Sequence, residues 1–216
     1  MKMLIAIIFS LPLMAQEVCI SVPETLHYSI EYNGQRIGKA LNIIEKATFE
    51  GKTVYKYLGV TDVVKQGRNI RDSVILYFDK DWTPIYQERY IKGMNLSLTT
   101  HYKDGKASVK LNLAGKEKSF TISYPQGAVD NEEILPFLRC IDVKKVGSGE
   151  IVDITPLGGQ TVKIKWKYEG TAKMNDMEVA RVLLKMPMKK VELFIKGGKV
   201  VKYFDKSSGL EMILQE

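Results

Sequence analysis

The sequence predicts a mainly β protein: a long, strongly curved antiparallel meander, a half-barrel or open barrel, with one short helix. Three observations carry that expectation. Apolar and polar residues alternate through one short segment after another, the pattern of a strand with one buried and one wet face. Asn-Gly, Asp-Gly and Gly-Gly pairs punctuate these segments at hairpin spacing. Helical spacing replaces the alternation convincingly in a single stretch, after residue 125.

In residues 26–46, Leu26, Tyr28, Ile30 and Tyr32 alternate with His27, Ser29, Glu31 and Asn33, and Asn33-Gly34 is the turn. A two-residue turn there sets Tyr32 against Gln35, Ile30 against Ile37 and Leu26 against Leu41, with Glu31 meeting Arg36 on the other face. Gly38 then faces Ser29. Residues 52–65, 73–79 and 84–92 supply further strands. Around Asp104-Gly105, Leu96, Leu98, Thr100 and Tyr102 fall opposite Leu113, Leu111, Val109 and Ala107. A glycine-first turn at Gly115-Lys116 carries that apolar face onward, to set Phe120, Ile122 and Tyr124 beside Leu111, Val109 and Ala107.

Asp130 with Glu133 three residues on reads as a reciprocal helix cap, followed by Ile134, Leu138 and Ile141 at helical spacing. Pro136 is expected to shorten or kink that helix. Strands resume over 149–155, 160–168, 177–186, 189–196, 199–205 and 209–214. In the second of these, Lys163, Lys165 and Lys167 alternate with apolar residues, a lysine fringe of the kind that discourages edge-to-edge aggregation.

Residues 1–15 stand apart. Lys2 precedes the apolar run Met3–Phe9, and Ser10, Pro12 and Ala15 lead into Gln16, the layout of a secretory signal peptide cleaved near Ala15. The expected organisation is therefore a signal peptide (1–15) and a single β domain (16–216), exported to the periplasm. The apolar run is too short for a transmembrane anchor. Cys19 and Cys140 either pair, as an oxidising compartment allows, or stay as two separate thiols.

The chain has 216 residues and a formal charge of +7, and most of its cations are lysines. An exported basic protein meets anionic lipid head groups and acidic polymers rather than nucleic acid. No GxSxG, HExxH or GxxxxGK[ST] pattern occurs, and there is no CxxC pair. His27 and His101 lie on the polar faces of separate strands. Neither catalysis, nor a metal site, nor a cofactor is expected.

The tyrosine-rich first strand, "YNGQRIGKALNIIE", "LPFLRCIDV" and the closing "ELFIKGGKVVKYFDKSSGLEMIL" together resemble the uncharacterised bacterial periplasmic family labelled domain of unknown function 3108. Gly38, Leu138, Arg139 and the closing hairpin carry most of that likeness, and Pro136 departs from it. The resemblance implies the architecture of half-barrel lipoprotein carriers of the LolA/LolB type, which hold acyl chains on the concave side of a curved sheet.

The function expected from these readings is a non-catalytic periplasmic binding or carrier protein for a lipid, acyl chain or lipidated partner. Leu98, Val109, Leu111, Phe120 and Ile122 are expected to line the cavity, with Phe137 and Leu138 at its lid. The alternative is a structural or protein-interaction module of the envelope whose core is closed. The expected partners are an apolar ligand or lipid and a membrane surface touched without an anchor; the sequence does not identify a protein partner.

Overall fold

The computed structural model describes residues 17–65 and 67–215. The leader expected over 1–15 lies outside these residues. β1 (Glu24–Tyr32) occupies the middle of one fifteen-stranded sheet. From it the chain runs outward through β2 (Gln35–Phe49), β3 (Lys52–Lys65), β4 (Arg68–Phe78) and β5 (Pro84–Lys92). It continues through β6 (Leu96–Lys103) and β7 (Lys106–Leu113) to β8 (Lys116–Ser123), which forms one edge.

The next strand, β9 (Val129–Asp130), is the opposite edge. After it come α1 (Ile134–Cys140) and α2 (Val143–Val146). β10 (Ser148–Thr155) runs parallel to β9 and starts the return through β11 (Gln160–Met174), β12 (Met177–Lys185), β13 (Lys190–Lys196) and β14 (Lys199–Asp205). β15 (Leu210–Leu214) ends the return by pairing antiparallel with β1.

Chain length dictates the curvature. Laid flat, fifteen strands would span about 65 Å at the usual strand spacing. The link from β8 to β9 can bridge no more than roughly 20 Å even when extended. The sheet must therefore curl until its edges approach. They do so without pairing: the β10–β11 turn comes up against β8, where the Phe120 ring lies 3.4 Å from the point a Cβ on Gly159 would occupy. The result is a barrel-like, open curved sheet that is mainly β, as the sequence predicts.

Several local expectations need correction. The β6–β7 register is the predicted one, Leu98 facing Leu111 and Thr100 facing Val109. In β7–β8 the turn is Ala114-Gly115, with φ of 51° and 84°, rather than Gly115-Lys116. Phe120 thus faces Val109, and Ile122 faces Ala107, two residues from the expected register but on the same face. Between β1 and β2 a bulge at Ile37 shifts the pairing by one beyond Tyr32–Gln35 and Glu31–Arg36: Ile30 faces Gly38, and Tyr28 faces Ala40.

The helical region also differs. Asp130 belongs to β9, and Glu133 is the residue at the start of α1. Half of the expected capping box forms, because the Glu133 side chain accepts from the Asp130 N–H at 2.6 Å. The Asp130 carboxylate turns instead to the Glu132 N–H. Pro136 is the third residue of α1, where its missing N–H has no helical partner to lose, so it is tolerated. A second short helix, α2, follows, capped by the Asp142 side chain on the Lys145 N–H.

A disulfide joins Cys19 to Cys140, across 121 positions, and holds the segment before β1 against the end of α1. A loop of that length contributes about 4–5 kcal/mol on the chain-entropy model.

Candidate functional site

The seven expected cavity residues do gather on the concave side, but most of them sit in a packed core. Leu98, Val109, Ile122, Phe137 and Leu138 are buried, and Leu111 and Phe120 are half-buried against the same cluster. In this structure they mainly fill space, although Leu98 and Leu111 also border a small hollow of about 250 Å³. The physical reason is Trp82. This residue sits in the β4–β5 turn at φ 59°, a conformation that bulky residues seldom adopt. It is held there by stacking on Phe78 at 5.1 Å and by the edge of Phe137 at 5.8 Å. Phe137 and Leu138 thus act as a plug pressed into the sheet by α1, with Trp166, Ile164 and Leu184 completing the packing from the return strands.

A polar island lies inside this core. Asp72, Gln87, Arg89, Thr100 and Tyr102 occupy inward-facing positions of β4, β5 and β6, where alternation would put apolar residues. Arg89 grips both Asp72 oxygens and donates to Glu132 Oε1 at 3.1 Å. Gln87 Nε2 donates to Asp130 Oδ1 at 2.9 Å, the Tyr102 hydroxyl donates to Oδ2, and the Glu132 N–H donates to Oδ1.

Burial, aided by the Glu132 charge, pushes the Asp130 carboxyl up to about 8, against the Tyr102 hydroxyl and the Glu132 N–H, which hold it down. Burial and the Asp130 charge push Glu133 well above the usual carboxylate range as well. Asp130 is fully buried and ringed by its own donors, so this constellation seats the turn that delivers α1. A substrate has no way to reach it as it stands.

Open space lies elsewhere, at the end of the barrel where α1 meets the rim of β10–β14. A groove of about 640 Å³ runs there between Ile134 and Leu135 of α1, Val162, Met186, Met188 and Tyr203. Asp153 and Thr155 form its base. The Thr155 hydroxyl donates to Asp153 Oδ2 at 3.0 Å, whereas Oδ1 has no partner among the described residues. Asp153 is only 6% exposed, and burial pushes its carboxyl up to about 6, opposed by the Thr155 hydroxyl and the Lys189 charge. The site therefore sets an apolar side, from Ile134, Leu135, Val162, Met186 and Met188, against a polar one that includes Gln160, Lys189 and Asp205, with Asp153 Oδ1 as its buried, unpartnered acceptor. Its volume falls within the usual range of small-ligand pockets.

A second cleft, of about 760 Å³, opens among the β1–β2, β3–β4 and β5–β6 turns. Arg36, Lys39, Arg71 and Lys92 border it together with Asp62, which pairs with Arg71 at 3.3 Å, so cations outnumber the one carboxylate.

The sequence missed both openings. Met186-Pro187-Met188 interrupts two alternating segments and was the available signal for the first. Asp72 and Arg89, charged residues on otherwise apolar strand faces, were the signal for the polar island. His27 and His101 are exposed, as their positions on polar faces imply.

No family model matches the chain, and no curated protein matches it. Among solved structures, it is similar to a β-barrel-like protein of the domain of unknown function DUF1849 from Brucella abortus. The two share 10% identity at a TM-score of 0.56, over 89% of this chain and 95% of that one. At that identity the likeness shows a shared barrel-like fold.

Proposed function

We propose that the protein is an exported, non-catalytic binding protein that holds an apolar or amphiphilic ligand in the rim groove beside α1, with the barrel interior serving as its core. The observation that carries this reading is the groove itself: Leu135, Met186 and Met188 leave apolar surface in a ligand-sized concavity. The buried, unpartnered Asp153 oxygen at its base offers one polar anchor. The sequence's resemblance to the periplasmic family 3108, and the LolA/LolB-type architecture which that resemblance implies, favour the same reading, as does the leader-like segment at 1–15.

Solvent extraction of the protein as isolated, followed by mass spectrometry, tests it. One class of amphiphile should copurify and be lost in Leu135→Glu. Protein that is empty and binds no apolar fluorophore would contradict it. A second reading, an interaction module of the envelope, draws on a specific observation: the concave face is filled by Trp82, Phe137 and Leu138.

A further inference from the structure

The meander places seven connections at one end of the barrel: β1–β2, β3–β4, β5–β6, β7–β8, β10–β11, β12–β13 and β14–β15. Eight large apolar side chains are exposed among the described residues, and seven of them belong to this end. Tyr32, Val64 and Leu113 end or nearly end β1, β3 and β7, and Tyr90 sits two residues inside the end of β5. Met94, Leu157 and Met188 are in the turns themselves, Met188 at 94% exposure. The eighth, Val146, is at the other end, where the turns are built from Glu50-Gly51, Asp104-Gly105, Asn175-Asp176 and Gly197-Gly198.

Cations accompany these residues. Arg36, Arg68, Lys92, Lys116, Lys189 and Lys190 are exposed at the same end and form no ion pair among the described residues. At the β12–β13 hairpin the arrangement is densest. Lys165, Lys185 and Lys190 lie directly opposite one another across β11, β12 and β13 on the outer face. Glu150, which neighbours Lys165, is engaged by Lys163 at 3.2 Å. Like charges in direct register repel, and a bound anion relieves that cost. The two openings described above, the groove beside α1 and the cleft bordered by Arg36, Lys39 and Lys92, face this end as well.

We propose that this rim docks on an anionic lipid surface, with Met188, Met94, Leu157 and their neighbours entering the head-group layer and the surrounding lysines and arginines contacting lipid phosphates. The spacing of the apolar residues favours lipid over a folded partner. They stand singly, distributed over six of the seven connections, rather than as one contiguous patch. A fluid interface accepts all of them at once, whereas a protein would need a separate matched pocket for each, and it is their concentration at one end, among unpaired cations, that distinguishes them from scattered surface residues. The net charge of +7 fits the sign of the surface. The proposal stands whether or not the groove holds a ligand.

Vesicle co-sedimentation tests it on the protein as isolated from cells. Vesicles containing phosphatidylglycerol are compared with pure phosphatidylcholine. Partition to the anionic vesicles should fall roughly tenfold or more in a Met94→Asp/Met188→Asp double variant, given the apolar area withdrawn and the charge introduced. It should weaken with added salt and stay unchanged in Val146→Asp, which alters a residue at the opposite end about as exposed as Met94. All these positions are exposed, so unchanged melting temperatures establish that the variants fold. Absent binding, or equal loss in Val146→Asp, overturns the proposal. A dimer of the parent protein that dissociates in the double variant also overturns it, by assigning the rim to a second copy.

Discussion

Arg139 on α1 grips Glu24 of β1 with two nitrogens, Nη1 to Oε2 at 2.8 Å and Nη2 to Oε1 at 2.7 Å. Its Nε donates to the Gly198 carbonyl in the β13–β14 turn. One guanidinium therefore ties the helix to the central strand and to the return half of the sheet. Both side chains are largely buried. Arg139→Ala leaves the Glu24 carboxylate without its counter-charge and should cost about 3 kcal/mol, the lower end for breaking a buried pair. Urea denaturation reads this directly, and a loss under about 1 kcal/mol would show that water replaces the guanidinium freely.

Gly38 is fixed by close approach. A Cβ at this position would collide with the Asp62 carbonyl oxygen and stand 2.8 Å from Val63 Cγ1. Gly38→Val should destabilise by roughly 1–3 kcal/mol through overpacking, since backbone cannot move aside as a flexible side chain can. An unchanged midpoint would mean that β2 and β3 part easily at the rim.

The buried carboxyls set a pH dependence. Asp130 is held up at about 8, Asp153 at about 6 and Glu133 higher than usual, all chiefly by burial. In the unfolded chain each ionises near pH 4, so between there and pH 8 the folded state binds more protons. Their contribution to stability is complete below pH 4 and is lost as pH rises through the folded values. Stability should therefore fall by more than about 1 kcal/mol between pH 5 and 8, and Asp130→Asn should flatten the slope. A stability that rises over this range would mean that Asp130 is ionised throughout.

Much of this architecture is legible in the residues. Asp104-Gly105 enforces a two-residue turn, and the β6–β7 register follows from it without ambiguity. Ala114 carries no comparable signal, although it adopts a positive φ, so the sequence places the next turn one residue late and the register two residues off. The Ile37 bulge leaves no mark on the alternation at all. Trp82 explains why the site was harder to read than the fold. A tryptophan in a turn belongs to no strand face, so periodicity cannot say that it will fold inward and fill the space expected for a ligand.

His27 and His101 are both exposed, His101 with its ring beside Tyr86 at 4.7 Å. Replacing the two together should change stability by less than about 1 kcal/mol, as surface substitutions usually do. Thermal unfolding checks this, and a larger loss would reveal a liganded imidazole.

The central claim is that the interior is core and the rim groove is the ligand site. It is tested most directly by measuring stability and apolar-fluorophore affinity on the same two variants. Leu98→Ala, deep in the core, should lose roughly 2–5 kcal/mol of stability by opening a cavity, with the fluorophore affinity of the folded protein unchanged. Leu135→Glu, on the groove wall in the first turn of α1, should cost less stability than Leu98→Ala, because Leu135 is only half-buried, and should abolish fluorophore binding. The reverse pattern, binding lost with Leu98→Ala and retained with Leu135→Glu, would return the ligand to the barrel interior and contradict the account.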